Sequence, residues 1–296
     1  MRLVTRGDLD GVTSAVLITT MEEIDSIELI HPQDVTEKRF EITSNDVMAN
    51  LPYHPAVGMW FDHHELTLSN ESPPARFKGR HAIAPSVARV IYEYYASEKL
   101  RRYEHLVAET DRLDSAALDI KDVTNPQGVI LLGFTIDSRS GLGGFKEYFN
   151  NLVTWLKTMP VDEVLSQPEV RERVKNLREN NAAFLKVLRD NSRQDGNVVI
   201  TDFRPLDKAP VGNRFLIYTL FPDTNVSVRV HWGPQRKFVA VSVGHNIFNR
   251  TSKANCGRIC SIFDGGGHKG AGGCPLPPTR ADAMIAEIVK RLKAAG

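Results

Sequence analysis

The sequence predicts an α/β protein of two domains, and three observations predict it. Short apolar runs alternate with helix-patterned segments over the first half of the chain. Carboxylates recur where those runs end, and beyond residue 196 the texture changes to β-branched runs split by turn residues. The expectation is an N-terminal parallel-sheet domain over 1–160, a connecting helix over 161–195, and a smaller α/β domain with a mixed sheet over 196–296. A chain of 296 residues suits two domains at roughly 150 residues each.

Taken in order, residues 1–6 read as a strand, and Gly7-Asp8-Leu9-Asp10-Gly11 as a turn. A helix is expected from Thr13 to Glu23, with Ala15, Val16, Leu17 and Ile18 apolar. Ser26 to His31 reads as a second strand. Asp46 to Leu51 and Ala56 to Phe61 are further short apolar stretches that end in polar residues. Helical periodicity marks Pro85 to Glu98 and Tyr103 to Thr110. In parallel sheets, sites gather at the carboxyl ends of the strands, so the chemistry is expected there. Val161 to Asn191 is charged and helix-favouring, interrupted by Pro168, and its poor heptad signal argues against a coiled coil. The turn at Gln194-Asp-Gly-Asn197 opens the second domain. Val198–Thr201, Val226–Val230 and Phe238–Val243 read as its strands, and Ala281–Lys293 as a closing amphipathic helix.

Composition removes several classes. At 42% hydrophobic and 25% charged residues the chain is of ordinary globular make-up. Its longest apolar run is far short of the ~20 residues a membrane span needs, so no membrane partner is expected. The opening residues lack an apolar signal region, and Cys256, Cys260 and Cys274 do not make a disulfide framework. A reducing cytoplasm is the expected compartment. The net charge of +1 hides an asymmetry: residues 196–296 hold 14 Lys/Arg against 6 Asp/Glu, and the first 195 hold 23 against 30. An acidic first part suits divalent cations, and a basic second part suits a phosphate-bearing ligand.

Three groups in the first domain carry ligand chemistry. Asp62-His63-His64 follows an apolar run, where a strand meets its C-terminal loop, and offers ligand types for Mn²⁺, Fe²⁺ or Zn²⁺. Asp8 and Asp10 follow the first strand, and Asp111 and Asp114 follow a helical segment. In the second domain, Asp264-Gly-Gly-Gly-His-Lys-Gly-Ala-Gly-Gly273 lets backbone N–H groups approach an anion, with His268 and Lys269 adding donors and charge. It matches neither the Walker loop nor the dinucleotide glycine spacing. The plain alternative is a flexible β-turn. Arg250 and Arg258, shortly upstream, are candidates to clamp phosphate oxygens. Other residues take bland readings: Cys256, Cys260, Trp60 and Phe61 as core, Trp232 as sheet packing or a base stack. His31, His54, His81, His105, His231 and His245 match no ligand spacing. Asp137 and Arg139 would line a cleft or pair with each other.

The chain resembles the DHH phosphoesterases with their DHH-associated C-terminal domain, on four segments: Gly7-Asp8-Leu9-Asp10-Gly11, Asp62-His63-His64, Thr110-Asp111 and Gly265-Gly266-Gly267-His268. The resemblance implies a two-domain hydrolase with a pair of Mn²⁺ ions in the interdomain cleft, Mg²⁺ or Fe²⁺ being substitutes. It implies metal ligation by Asp8, Asp10, Asp62, His63 and Asp111, with catalysis resting on Asp62, His63 and His64. His64 would stand near the scissile phosphate as donor to the leaving oxygen. Substrate phosphates would be held by Arg250, Gly265, Gly266, Gly267, His268 and Lys269. Two positions depart from the family pattern. Arg6 stands where His is usual and cannot ligate a cation. Asn50 closes a strand where a bridging Asp is usual, with Asp46 and Asp34 as poor substitutes, so a single ion is as open as two. Asp114 has no assigned role. The reading is a metal-dependent phosphoesterase on a phosphate-bearing small molecule or short oligonucleotide, with a homodimer possible. Two alternatives stand beside it: an exopolyphosphatase, and a non-hydrolytic nucleotide- or phosphate-binding member, for which Arg6 and Asn50 are the motive.

Overall fold

Strand β1 (Arg2–Thr5) turns Leu3 and Val4 to opposite faces, and both are fully buried, so the sheet it joins needs cover on both sides. A computed structural model describes the protein over residues 1–65, 72–136, 144–207 and 210–296. Asp137 and Arg139 lie outside these described residues. Helix α1 (Leu9–Met21) starts four residues earlier than its apolar pattern suggests, because the Asp8 carboxylate accepts the Gly11 N–H at 2.9 Å and caps it. Asp10 therefore sits in the first turn of a helix and not in an open turn. Strand β2 (Ser26–Leu29), helix α2 (Pro32–Thr36), and strands β3 (Asp46–Ala49), β4 (Met59–Asp62) and β5 (Gly79–His81) follow. Asp34 belongs to α2, where it bonds the His31 N–H and pairs with Arg39. Helices α3 (Val87–Tyr95) and α4 (Glu104–Asp114) come next, and α4 extends through Asp111 and Asp114, which were expected beyond its end.

The five strands are all parallel, in the order β2-β1-β3-β4-β5. Alternate residues face opposite layers. Leu3, Val47 and Phe61 join a core under α1, α3 and α4, while Val4, Met48 and Trp60 pack with Val35, Ile42 and Leu51 on the other side. The order places the topological switch point between β1 and β3, where the connections leave in opposite directions and a crevice opens at the strands' carboxyl ends.

Beyond α4, α5 (Ile120–Thr124) groups with the second unit of the chain, whereas α6 (Gly128–Phe134), α7 (Phe145–Thr158) and α8 (Val161–Leu165) belong to the first. The segment expected as one helix from Val161 is broken before Pro168, which starts α9 (Pro168–Asn191). The two compact units divide within α9. One is Met1–Ala117 with Pro126–Leu177, the other Leu118–Asn125 with Arg178–Gly296.

The second unit holds β6 (Ser192–Asp195), β7 (Val198–Asp202), α10 (Leu216–Leu220), β8 (Val226–Trp232), β9 (Val239–His245), α11 (Cys256–Ser261), β10 (Gly266–His268), β11 (Ala271–Leu276) and α12 (Ala281–Ala294). Its sheet runs β10-β11-β9-β8-β7-β6 and is mixed, with β7 and β8 parallel and the other pairs antiparallel. Period-2 burial puts Val226, Val228, Val230, Val239, Val241 and Val243 against Ile285, Ile288, Val289 and Leu292 of α12. Each such side chain, fully buried, stabilises the fold by about 1.5–3 kcal/mol. Among the described residues no helix is long and apolar enough to cross a membrane.

Candidate active site

Three strand ends build the site of the first unit. After β1 the chain turns through Gly7 into the capped N-terminus of α1. Gly11 is required there, since a Cβ would lie 2.0 Å from the Arg6 carbonyl oxygen. That close approach brings Asp8 and Asp10 over the end of β1. The Asp10 carboxylate is buried and accepts the Val87 and Ala88 N–H groups, each at 2.9 Å, so the N-terminus of α3 holds it. After β3, Asn50 takes a left-handed backbone (φ 62°) and its Nδ2 donates to Asp8 Oδ1 at 3.3 Å. After β4, the buried Asp62 accepts from His64 Nδ1 at 2.8 Å. His63 Nδ1 donates to the Ala84 carbonyl at 2.9 Å. A carbonyl only accepts, so the neutral His63 ring carries its proton on Nδ1 and presents a lone pair at Nε2.

That Nε2 lies 3.8 Å from Asp10 Oδ2 and 3.4 Å from Asp114 Oδ2. The ligand atoms of Asp10, His63 and Asp114 all fall within 4.8 Å of one another, the one such group of His, Cys, Asp or Glu among the described residues. His63 Nε2 and Asn50 Oδ1 are buried without a hydrogen-bond partner. An unsatisfied buried polar atom costs about 1–3 kcal/mol, so two at one site mark a place where something else supplies the partner. Carboxylate oxygens, an imidazole and an amide oxygen suit a Mn²⁺-, Mg²⁺- or Fe²⁺-like cation. The electrostatics agree. Burial, then the charges of Asp114 and Asp8, push the Asp10 carboxyl well above the usual carboxylate range, against its two amide bonds. Burial and the charge of Asp8 likewise raise Asp114, although His63, His64 and Arg6 oppose it. Such crowding of anions is what a divalent ion relieves. Burial disfavours the charged His64 ring, but the bond to Asp62 and its charge outweigh that and raise its pKa.

Asp8, Asp10, Asn50, Asp62, His63, His64 and Asp114 thus come together at the strand ends. Arg6 joins them through an ion pair with Asp8 at 3.3 Å and offsets part of that charge. Asp111 is placed differently. Its Oδ1 accepts from Ser86 Oγ at 2.6 Å, and its Oδ2 accepts from Arg89 Nε and Nη2 at 2.9 and 2.6 Å. It braces the start of α3, the same turn whose amides hold Asp10, while Asp114, one helical turn on, faces His63. In the sequence the two carboxylates differ only by a spacing of three within a helix, which cannot by itself say which of them faces His63. Asp46 is no substitute for Asn50: it starts β3, bound by Arg2 at 2.7 and 2.8 Å and by the Thr43 N–H. Despite its burial, these partners hold its carboxyl below the usual range.

In the second unit the glycine-rich segment forms the antiparallel hairpin β10–β11 and not a loose turn. Gly267 has φ +141° and a Cβ there would meet the Ala271 carbonyl oxygen at 2.3 Å; one on Gly265 would meet that of Gly273 at 2.2 Å. These two glycines are demanded by the hairpin itself. Gly266 has no such neighbour within 4 Å. His268 and Lys269 are exposed at the hairpin's turn, and the Lys269 carbonyl accepts the Cys256 N–H. Arg250 is exposed, with Nε bonded to the Ile247 carbonyl at 3.2 Å. Cys256 and Cys260 are core residues of α11, as expected, and burial pushes the Cys256 thiol up to about 12.

No protein-family model matches the chain, and no curated protein matches it. Among solved structures, a pGpG-specific phosphodiesterase, PggH from Vibrio cholerae, is 32% identical, aligned over 100% of this chain and 99% of its own, with a TM-score of 0.84. The chain belongs to the DHH phosphoesterase family. More remote structures share the DHH fold. An exopolyphosphatase-related protein from Bacteroides fragilis is 11% identical over 99% of this chain and 92% of its own, at a TM-score of 0.54. RecJ in complex with Mn²⁺ from Thermus thermophilus is 14% identical over 97% of this chain and 51% of its own, at 0.56.

Proposed function

We propose that this DHH protein is a Mn²⁺-dependent phosphodiesterase of short oligonucleotides, a linear dinucleotide being the first substrate to try. The observation that carries this reading is the end-to-end similarity, at 32% identity, to a pGpG-specific phosphodiesterase. In this reading Asp10, His63 and Asp114 hold one cation, and Asp8, Asp62 and the amide oxygen of Asn50 hold a second. Divalent ions there would supply Lewis acidity to the phosphoryl oxygens and lower the pKa of a water. The chain's own residues do the rest. Asp62 fixes the His64 ring through Nδ1, so the proton that ring passes to the leaving oxygen sits on Nε2. Arg250, His268, Lys269 and the amides of Gly266 and Gly267 hold substrate phosphates, each charge-assisted bond adding about 1.5–3 kcal/mol, whereas the Gly265 N–H is already bonded to the Cys260 carbonyl. Asp111 supports α3 instead of binding metal. Three free, buried thiols support a cytoplasmic setting.

The test is hydrolysis by the Mn²⁺-loaded protein of a 5′-phosphorylated dinucleotide, a longer oligonucleotide, a cyclic dinucleotide and inorganic polyphosphate. The linear dinucleotide is expected to turn over fastest, and Asp62→Ala to lose at least about 10³-fold in kcat, roughly 4 kcal/mol of barrier. Polyphosphate cleaved faster than every nucleotide would replace the reading with an exopolyphosphatase. Nucleotide binding without turnover above the Asp62→Ala background would replace it with a binding protein.

A further inference from the structure

His81 matches no ligand spacing in the sequence, yet it sits beside the site. Strand β5 runs parallel to β4 and sets His81 opposite Asp62. The His81 ring stacks on the fully buried Trp60 indole, with centroids 5.4 Å apart and planes 4° from parallel. From that stack its Nε2 reaches the main-chain carbonyl of His64 at 2.7 Å. A carbonyl only accepts, so the His81 proton is on Nε2. His64 is therefore gripped twice: by its ring, through the bond to Asp62, and by its backbone, through His81.

We propose that His81 is a positioning residue, which fixes the His64 backbone and with it the direction in which the His64 ring meets the reacting phosphate. The proposal rests on the reading of His64 as the proton donor. Histidine answers two requirements at once. A flat ring is needed to lie on Trp60, and a donor is needed at the far end of that ring to reach the carbonyl. Phenylalanine supplies only the ring, and glutamine only the donor. With the donor gone, the residue after His63 loses its tether to β5, and displacement of a catalytic group by about 1 Å costs on the order of 10²-fold.

The experiment compares His81→Phe, His81→Gln and His64→Ala in the full-length, Mn²⁺-loaded protein. It measures kcat and KM on the 5′-phosphorylated dinucleotide, Mn²⁺ affinity by calorimetry, and Tm. For His81→Phe the expected result is a 10- to 100-fold fall in kcat, on the order of the loss that such a displacement causes, with KM and Mn²⁺ affinity within about twofold of wild type. His81→Gln should recover most of that loss, and His64→Ala should lose at least as much as His81→Phe. A His81→Phe enzyme with wild-type kcat, beside an impaired His64→Ala, overturns the inference. So does a parallel loss of Tm and Mn²⁺ affinity in both His81 variants, which would make His81 a structural residue. Wild-type kcat in His64→Ala overturns the reading of His64 instead.

Discussion

Asn50 stands just after β3, where the family pattern commonly has a bridging Asp, in left-handed backbone that asparagine adopts more readily than most residues. Its Nδ2 touches Asp8 and its Oδ1 is buried and unsatisfied, so the side chain already points its acceptor at something other than protein. Replacing the amide by a carboxylate sets two anions against each other in the absence of metal and adds a stronger ligand in its presence. Asn50→Asp is expected to lower the Tm of the metal-free protein by a few degrees while tightening Mn²⁺ binding about tenfold, measured by calorimetry. An unchanged affinity would show that Asn50 does not face a cation. The neighbouring choice between Asp111 and Asp114 shows what a sequence hides at this scale. Both lie on one helix, and only the placement of Ser86 and Arg89 decides that Asp111 is consumed in bracing α3 while Asp114 is left beside His63.

Among the elements, strands β1–β4 and β7–β9 and helices α1, α3, α4 and α12 were legible because period-2 and period-3.6 burial are written in the residues themselves, whereas β5, β6 and α7 carried no reading. Two boundaries were not legible. The start of α1 depends on a cap contributed by Asp8, and the end of α4 on polar residues that continue a helix its apolar stripe has already left. The hairpin β10–β11 makes the same point about glycine, since composition alone cannot separate a flexible turn from glycines demanded by backbone contact. The three central glycines part accordingly. Gly267→Ala, at φ +141° and 2.3 Å from the Ala271 oxygen, is expected to cost about 1–3 kcal/mol and to lower Tm. Gly266→Ala has open space, so Tm should hold while KM for the dinucleotide rises severalfold. Wild-type kinetics in a stable Gly266→Ala would remove that glycine from the substrate-binding set.

At the scale of the molecule, each unit has its own core, and every ligand proposed for the cations comes from the first. Metal binding is therefore linked to the folding of that unit. Mn²⁺ at about 100 times its Kd should stabilise it by about 2.7 kcal/mol. Hydrogen exchange should slow in β1, β3 and β4 and stay unchanged in β7–β9, and Asp114→Asn should reduce the difference. Equal protection of both units would mean that the cations bind elsewhere or that the units unfold together.

The two-part chemistry of this chain is written in its residues: an α/β unit with acids and histidines at its strand ends, a second unit with a glycine-rich turn, and the family that joins them. Those features are local, carried by residue type and by spacing within a few positions, and so they survive in one dimension. Tertiary structure alone decided which side chains converge. The order β2-β1-β3-β4-β5 brings residues 8, 50 and 62 to one crevice, the amides of α3 hold Asp10, and His81 reaches back to His64 from the neighbouring strand. Contacts between residues so far apart in the chain depend on strand order and on the turn of each helix, which no short stretch of sequence specifies.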